Sequence, residues 1–297
     1  MARREEETAL DTHLATGHTT VARAWAVERQ DGVRLGFTDH DRDFAFEGVT
    51  FRAGTGLSAR ALQQGTGLSV DNSEAMGALS DPGVTESDIA AGRYDDARVT
   101  VWLVNWANVA ARRVLFRGHI GEIRRAEGAF HAELRGLSER LNRPLGRVYQ
   151  KSCTAVLGDA SCRADLGVPG YAWEGPVTEV ASGRRFVLGP MGGFDPDWFA
   201  RGALKMLGGP AEGLGGAIKR DRMAGDLRVV ELWEPVRADI VAGDPVRIVA
   251  GCDKRLETCR LKFDNILNFQ GFPDIPGEDW LMVHPTGAKA LGGGSRR

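Results

Sequence analysis

Along the first half of the chain, apolar positions alternate with polar ones over short runs, and turn residues separate the runs. Val21–Glu28 is apolar and β-compatible, Gln30-Asp31-Gly32 is a turn signal, and Val33–Thr38 follows as the return strand. Phe44-Ala45-Phe46 and Val49-Thr50-Phe51 flank Glu47-Gly48 in the same way. Val99, Val101 and Leu103 alternate along another strand, and Val114–Ile123 pairs with Phe130–Leu134 around Glu127-Gly128. Helical signals are few. Thr85-x-x-Asp88 caps one short helix before Ile89, and Leu137–Leu141 reads as a second, stopped by Pro144. The pattern predicts a β-rich domain over residues 9–150.

Residues 163–251 repeat this texture. Strands are predicted at Val177–Val180, Arg185–Leu188, Ala203–Leu207, Leu227–Leu232 and Val246–Val249. Ser182-Gly183, Gly192-Gly193, Gly208-Gly209-Pro210, Ala224-Gly225-Asp226 and Gly243-Asp244 separate them. Short strands at such intervals suggest a small inserted barrel-like domain. Residues 286–297 end in Gly-Gly-Gly-Ser-Arg-Arg and read as a flexible tail.

Composition narrows the function classes. A chain of 297 residues with 42% hydrophobic and 26% charged content suits about two soluble globular domains. A net charge of −2 gives no global field for nucleic acid, and no direct sequence recognition is expected. No run approaches the roughly 18 apolar residues of a membrane helix. Residues 1–8 are charged and carry no apolar secretory core. Synthesis and assembly in the cytoplasm are therefore expected.

Cysteine is scarce and paired. Cys153 and Cys162 enclose eight residues, Cys252 and Cys259 enclose six, and 89 residues separate the pairs. Three readings stay open at this level: buried free thiols, disulfides, and a metal site using all four sulfurs. Disulfides persist mainly in oxidising compartments. Neither pair has the tight knuckle of structural zinc sites, and ferredoxin-type cysteine runs are absent. The intervening domain is expected to bring Cys162 and Cys252 together, so that a shared site clamps its base. The fold class is thus mainly β, with two barrel- or sandwich-like domains, a few short helices and a four-cysteine cluster site at the domain junction. Residues 151–162 and 252–285 form the cluster-binding segments.

The run Cys252-x6-Cys259-Arg260-x2-Phe263-x-Asn265-x2-Asn268-Phe269-x-Gly271-Phe272-Pro273-x2-Pro276-Gly277 resembles the C-terminal signature of a tail-tip hub family. That family occurs in siphophage-like particles and gene transfer agents, with the phage lambda tail-tip protein L as a distant relative. Phe37-Thr38-Asp39-His40-Asp41-Arg42-Asp43, followed by Phe46–Phe51, resembles the same family. The resemblance implies a virion structural protein of the baseplate hub, not an enzyme. It also implies a [4Fe–4S] cluster held by Cys153, Cys162, Cys252 and Cys259, a homotrimer, and a mature location in the tail tip. The implied neighbours are a distal tail ring protein, a large tip or fibre protein and a cell-wall peptidase. Lys254, Arg255, Arg260 and Lys262 would offset the cluster's negative charge, and Phe263, Phe269 and Phe272 would exclude water. The alternative is a cytosolic four-cysteine Zn2+ or redox metalloprotein outside any particle.

Other constellations carry little chemistry. Asp39, Asp41 and Asp43 open like a calcium loop, but its sixth position is Phe44 and its twelfth Thr50, where Gly and Glu are needed. His119, His131 and His284 fall in no cysteine-hydrolase pattern. Gly213-x-Gly215-Gly216 opens no clear nucleotide-binding unit, and no G-x-S-x-G, P-loop or H-E-x-x-H is present.

Overall fold

The computed structural model describes residues 2–54, 58–59, 72–78, 84–126, 129–136 and 146–275. The expected turn at Glu127-Gly128, the expected helix Leu137–Leu141, His284 and the tail 286–297 lie outside these residues. The chain divides into two units, residues 1–144 and 145–297.

The first unit opens with helix α1 (Ala2–Leu14), which runs across the domain start expected at residue 9. The strands that follow are β1 (Val21–Glu28), β2 (Arg34–Thr38), β3 (Phe44–Phe46), β4 (Val49–Arg52), β5 (Ser58–Ala59) and β6 (Asn72–Ala78). Then come helix α2 (Glu86–Ala90), β7 (Arg98–Asn105), β8 (Arg112–Ala126) and β9 (Ala129–Gly136). Among the described residues these strands form one nine-stranded sheet, in the order β3-β4-β2-β1-β7-β8-β9-β6-β5. The expected barrel or sandwich is therefore corrected to a single sheet. Its two faces bury different side chains, because successive residues of a strand point to opposite sides. Trp25 and Val27 of β1 pack on one face with Phe37, Val99, Val101 and Phe116. Ala24 and Ala26 lie on the other, under Phe46, Phe51 and Trp102. The short alanines leave room for those rings, and Phe46 and Phe51 stack with centroids 4.3 Å apart. Thr85 caps α2, its hydroxyl accepting from the Asp88 N–H at 3.2 Å.

The second unit contains β10 (Ala172–Ser182), β11 (Arg185–Leu188), β12 (Ala203–Met206), β13 (Gly215–Ala224), β14 (Leu227–Leu232) and β15 (Pro245–Val249). They close into a barrel in the order β10-β11-β14-β13-β12-β15. Val177, Phe186, Leu188, Leu204, Met206, Ile218, Val230, Leu232, Val246 and Ile248 fill it. Strand β13 has no counterpart in the expected elements. Its inward positions are Ile218 and Asp221, so apolar alternation fails where a charge turns inside. Asp221 is neutralised by Arg228 of β14 at 2.7 Å, both side chains 0% exposed. Gly215 serves strand contact: a Cβ there would stand 1.9 Å from the Leu204 carbonyl oxygen.

Candidate four-thiol site

The cysteine segments flank the barrel within the second unit. Both pairs lie in residues 145–297, so the four cysteines fall within one unit and not at the expected junction of two domains. The barrel's ends need no clamp either. β10 and β15 pair directly, Ala172 opposite Val249 and Trp173 opposite Ile248.

Cys252 follows β15 after two residues, Ala250 and Gly251. A Cβ at 251 would stand 1.7 Å from the Ala200 carbonyl oxygen, so the close approach requires glycine. The Gly251 N–H donates to the Trp198 carbonyl at 3.0 Å, fixing where the chain leaves the barrel. The backbone then turns sharply. Lys254 adopts φ 68°, and its N–H points at the Cys252 sulfur at 3.4 Å. Helix α3 (Leu256–Leu261) follows, and Cys259 is its buried residue.

The other pair lies in an irregular segment held by Asp159. The Asp159 carboxylate accepts from the N–H groups of Val156, Ser161 and Cys162 at 2.9, 2.9 and 2.6 Å. These bonds, that from Cys162 foremost, keep its pKa below the usual carboxylate value. Long-range backbone bonds join the segments: Cys153 N–H to Lys254 carbonyl at 2.9 Å, and Phe272 N–H to Gln150 carbonyl at 2.9 Å.

Cys153, Cys162, Cys252 and Cys259 all line one cavity, together with Ala155, Leu157, Lys254, Arg255, Phe263, Asn265, Asn268 and Phe269. Among the described residues, no three His, Cys, Asp or Glu side chains are grouped so as to hold a single metal ion. Three sulfurs face N–H donors. Besides Lys254 on Cys252, the Gln270 N–H points at Cys153 at 3.4 Å, and the Asn265 amide reaches Cys162 Sγ at 3.6 Å and its carbonyl at 2.5 Å. The Cys259 thiol donates to the Asn265 carbonyl at 3.2 Å. Burial raises the pKa of Cys252, and burial followed by the three other cysteines pushes Cys259 up to about 11.

This donor set fits an iron–sulfur group: four sulfurs around one space, N–H donors aimed at three of them, and an apolar wall from Phe263 and Phe269. When bound, such a group supplies a covalent cross-link among its four ligands. Asn265 and Asn268 belong to the quoted signature, yet sequence reasoning gave them no role. Of the expected cations, Lys254 and Arg255 line the cavity, whereas Arg260 is exposed. Lys262 donates to the carbonyls of Trp198 and Gly251 and sits 4.3 Å over the Trp198 ring. Phe272 packs on Tyr149 instead of the cavity. His119 and the Asp39–Asp43 run have local roles in the first unit. His119 Nδ1 lies 3.3 Å from the Asp96 carbonyl. Asp39 and Asp43 accept from the N–H groups of Arg23 and Ala53, each at 2.7 Å.

Fold and site together define a mainly β protein of two units, with a four-thiol cavity beside a small barrel. The chain belongs to the baseplate hub family: residues 7–165 match "Baseplate hub protein, N-terminal attachment domain". Residues 197–279 match "Phage conserved hypothetical protein BR0599". A chain of the solved structure titled "Virion of native gene transfer agent (GTA) particle" is 54% identical, with a TM-score of 0.89. That match covers 96% of this chain and 98% of the other. No curated protein matches the chain. No helix among the described residues is long and apolar enough to cross a membrane.

Proposed function

We propose that the chain is the tail-tip hub of a gene transfer agent or related phage-like particle, in which its four cysteines hold a structural [4Fe–4S] cluster. The observation that carries the particle assignment is similarity over nearly the full length to a gene transfer agent virion chain. Membership of the baseplate hub family supports it independently. The role is architectural: the N-terminal attachment domain meets the tail tube side, through a distal tail ring protein, and the other unit faces a large tip or fibre protein. A homotrimer and a neighbouring cell-wall peptidase complete the proposed assembly.

The cluster assignment is supported by four thiols that line one cavity, three of them with N–H donors aimed at the sulfur. Quantitative mass spectrometry of purified particles tests the architecture. Three copies per particle are expected; six copies, or absence from the particle, would overturn it.

A further inference from the structure

We propose that the buried Asp221–Arg228 pair and Lys262 together position Cys252, making the barrel the alignment frame of the four-thiol site. This rests on the reading of that site as a cluster-binding centre. The pair is an odd feature for a small apolar barrel. Burying two charges costs more than their attraction returns unless the geometry is well satisfied. Here Asp221 Oδ1 and Arg228 Nε have no hydrogen-bond partner among the described residues.

What the pair does hold is the backbone of the loop between β11 and β12. Asp221 Oδ2 accepts from the Phe199 N–H at 2.8 Å, and Arg228 Nη2 donates to the carbonyls of Phe194 and Asp195 at 2.8 and 3.1 Å. The Arg228 guanidinium also lies 5.0 Å over the Phe199 ring. The loop is thus pinned on both sides of Trp198. Its carbonyl then receives both the Gly251 N–H and the Lys262 ammonium. Lys262 also binds the Gly251 carbonyl at 2.8 Å, so it clips the strand exit to the loop one residue before Cys252. A second tie, Arg201 Nη1 to the Asp253 carbonyl at 3.4 Å, fixes the residue after it. The path runs from a charge pair inside the barrel, through four backbone carbonyls and one ammonium, to a single cysteine. By contrast, Cys162 is set by Asp159 and Asn265, neither of which touches this path.

The test uses the full chain without iron and measures alkylation of each cysteine by iodoacetamide, followed by mass spectrometry. In Lys262→Met, whose change lies outside the barrel core, Cys252 should react about tenfold faster than in the wild type, as loss of charged hydrogen bonds frees local opening. Cys162 should change less than about twofold. Lys262→Arg, which keeps a donor, should restore most of the protection. Asp221→Asn should give the same selective exposure of Cys252 wherever circular dichroism shows the barrel intact. If it unfolds, Lys262→Met alone decides. An unchanged Cys252 rate in Lys262→Met, or equal acceleration at all four cysteines, overturns the proposal. Because this assay needs no iron, a wild-type protein that binds none would refute the cluster and leave the positioning result readable.

Discussion

The backbone N–H of Gln270 points at the sulfur of Cys153 from 3.4 Å, although 117 positions separate them. With the Lys254 N–H on Cys252 and the Asn265 amide on Cys162, it places one donor on each of three sulfurs. Such bonds stabilise thiolates and tune the clusters they hold. Asn265 is the donor that substitution can remove. Asn265→Ala should lose roughly 1–3 kcal/mol of stability. Asn265→Asp should do worse for the cluster, since it sets a carboxylate among thiolates. Bleaching of the visible absorbance under an iron chelator should quicken in the order wild type, Ala, Asp. An Asp variant that bleaches at the wild-type rate would contradict this.

Loss of the cluster should loosen the cysteine segments and spare the barrel. The barrel core contains none of the four cysteines, and its first and last strands pair directly. Cys252→Ser or Cys153→Ser should therefore expose residues 146–165 and 252–275 to protease while 172–249 survives as a resistant fragment. Limited proteolysis with mass mapping reads this directly. Early cuts inside 172–249 would show that the cluster holds the barrel after all.

Much of this was legible from residues. The hairpins β1–β2 and β3–β4, the Thr85 cap and the positions of most barrel strands follow local alternation and turn chemistry. The gaps have physical causes. Strand β13 hides because its inward position is Asp221, and only the fold reveals that Arg228 neutralises it. Helix α1 buries Leu10 and is otherwise mostly polar or charged; Glu6 and Asp11 meet Arg112 and Arg113 of β8, a contact no local pattern announces. The single sheet depends on distant pairings such as β2 with β4 in parallel and β6 with β9. For the site, cysteine spacing pointed to four sulfurs meeting. It could not assign Asn265 or Asp159 a role, because these bind the cysteine backbone across turns and across the chain.

The buried pair carries its own stability prediction. Arg228→Met leaves Asp221 charged and unpaired inside the barrel, which costs about 3–5 kcal/mol. Adding Asp221→Leu should recover part of that loss, because no lone charge then remains. Calorimetric melting temperatures of the two variants check it; a double variant less stable than Arg228→Met would contradict the account.

Alkaline pH should separate the iron-free from the loaded protein. Burial and the neighbouring thiols raise Cys259 from 9.0 to about 11 in the folded chain. A raised thiol pKa contributes stability that is full below about pH 9 and is lost as pH climbs toward 11. Iron-free protein should melt progressively lower over that window. Loaded protein should not show this component, because its sulfurs are already thiolates. Identical pH profiles for both forms would rule the thiol linkage out.

Iron and acid-labile sulfide, assayed in the full chain purified without oxygen, test the central claim most directly. A brown protein with broad absorbance near roughly 400 nm, about four iron and four sulfide per chain, and loss of both in Cys259→Ser is the expected result. A colourless wild-type protein, or one holding stoichiometric zinc without sulfide, would contradict it.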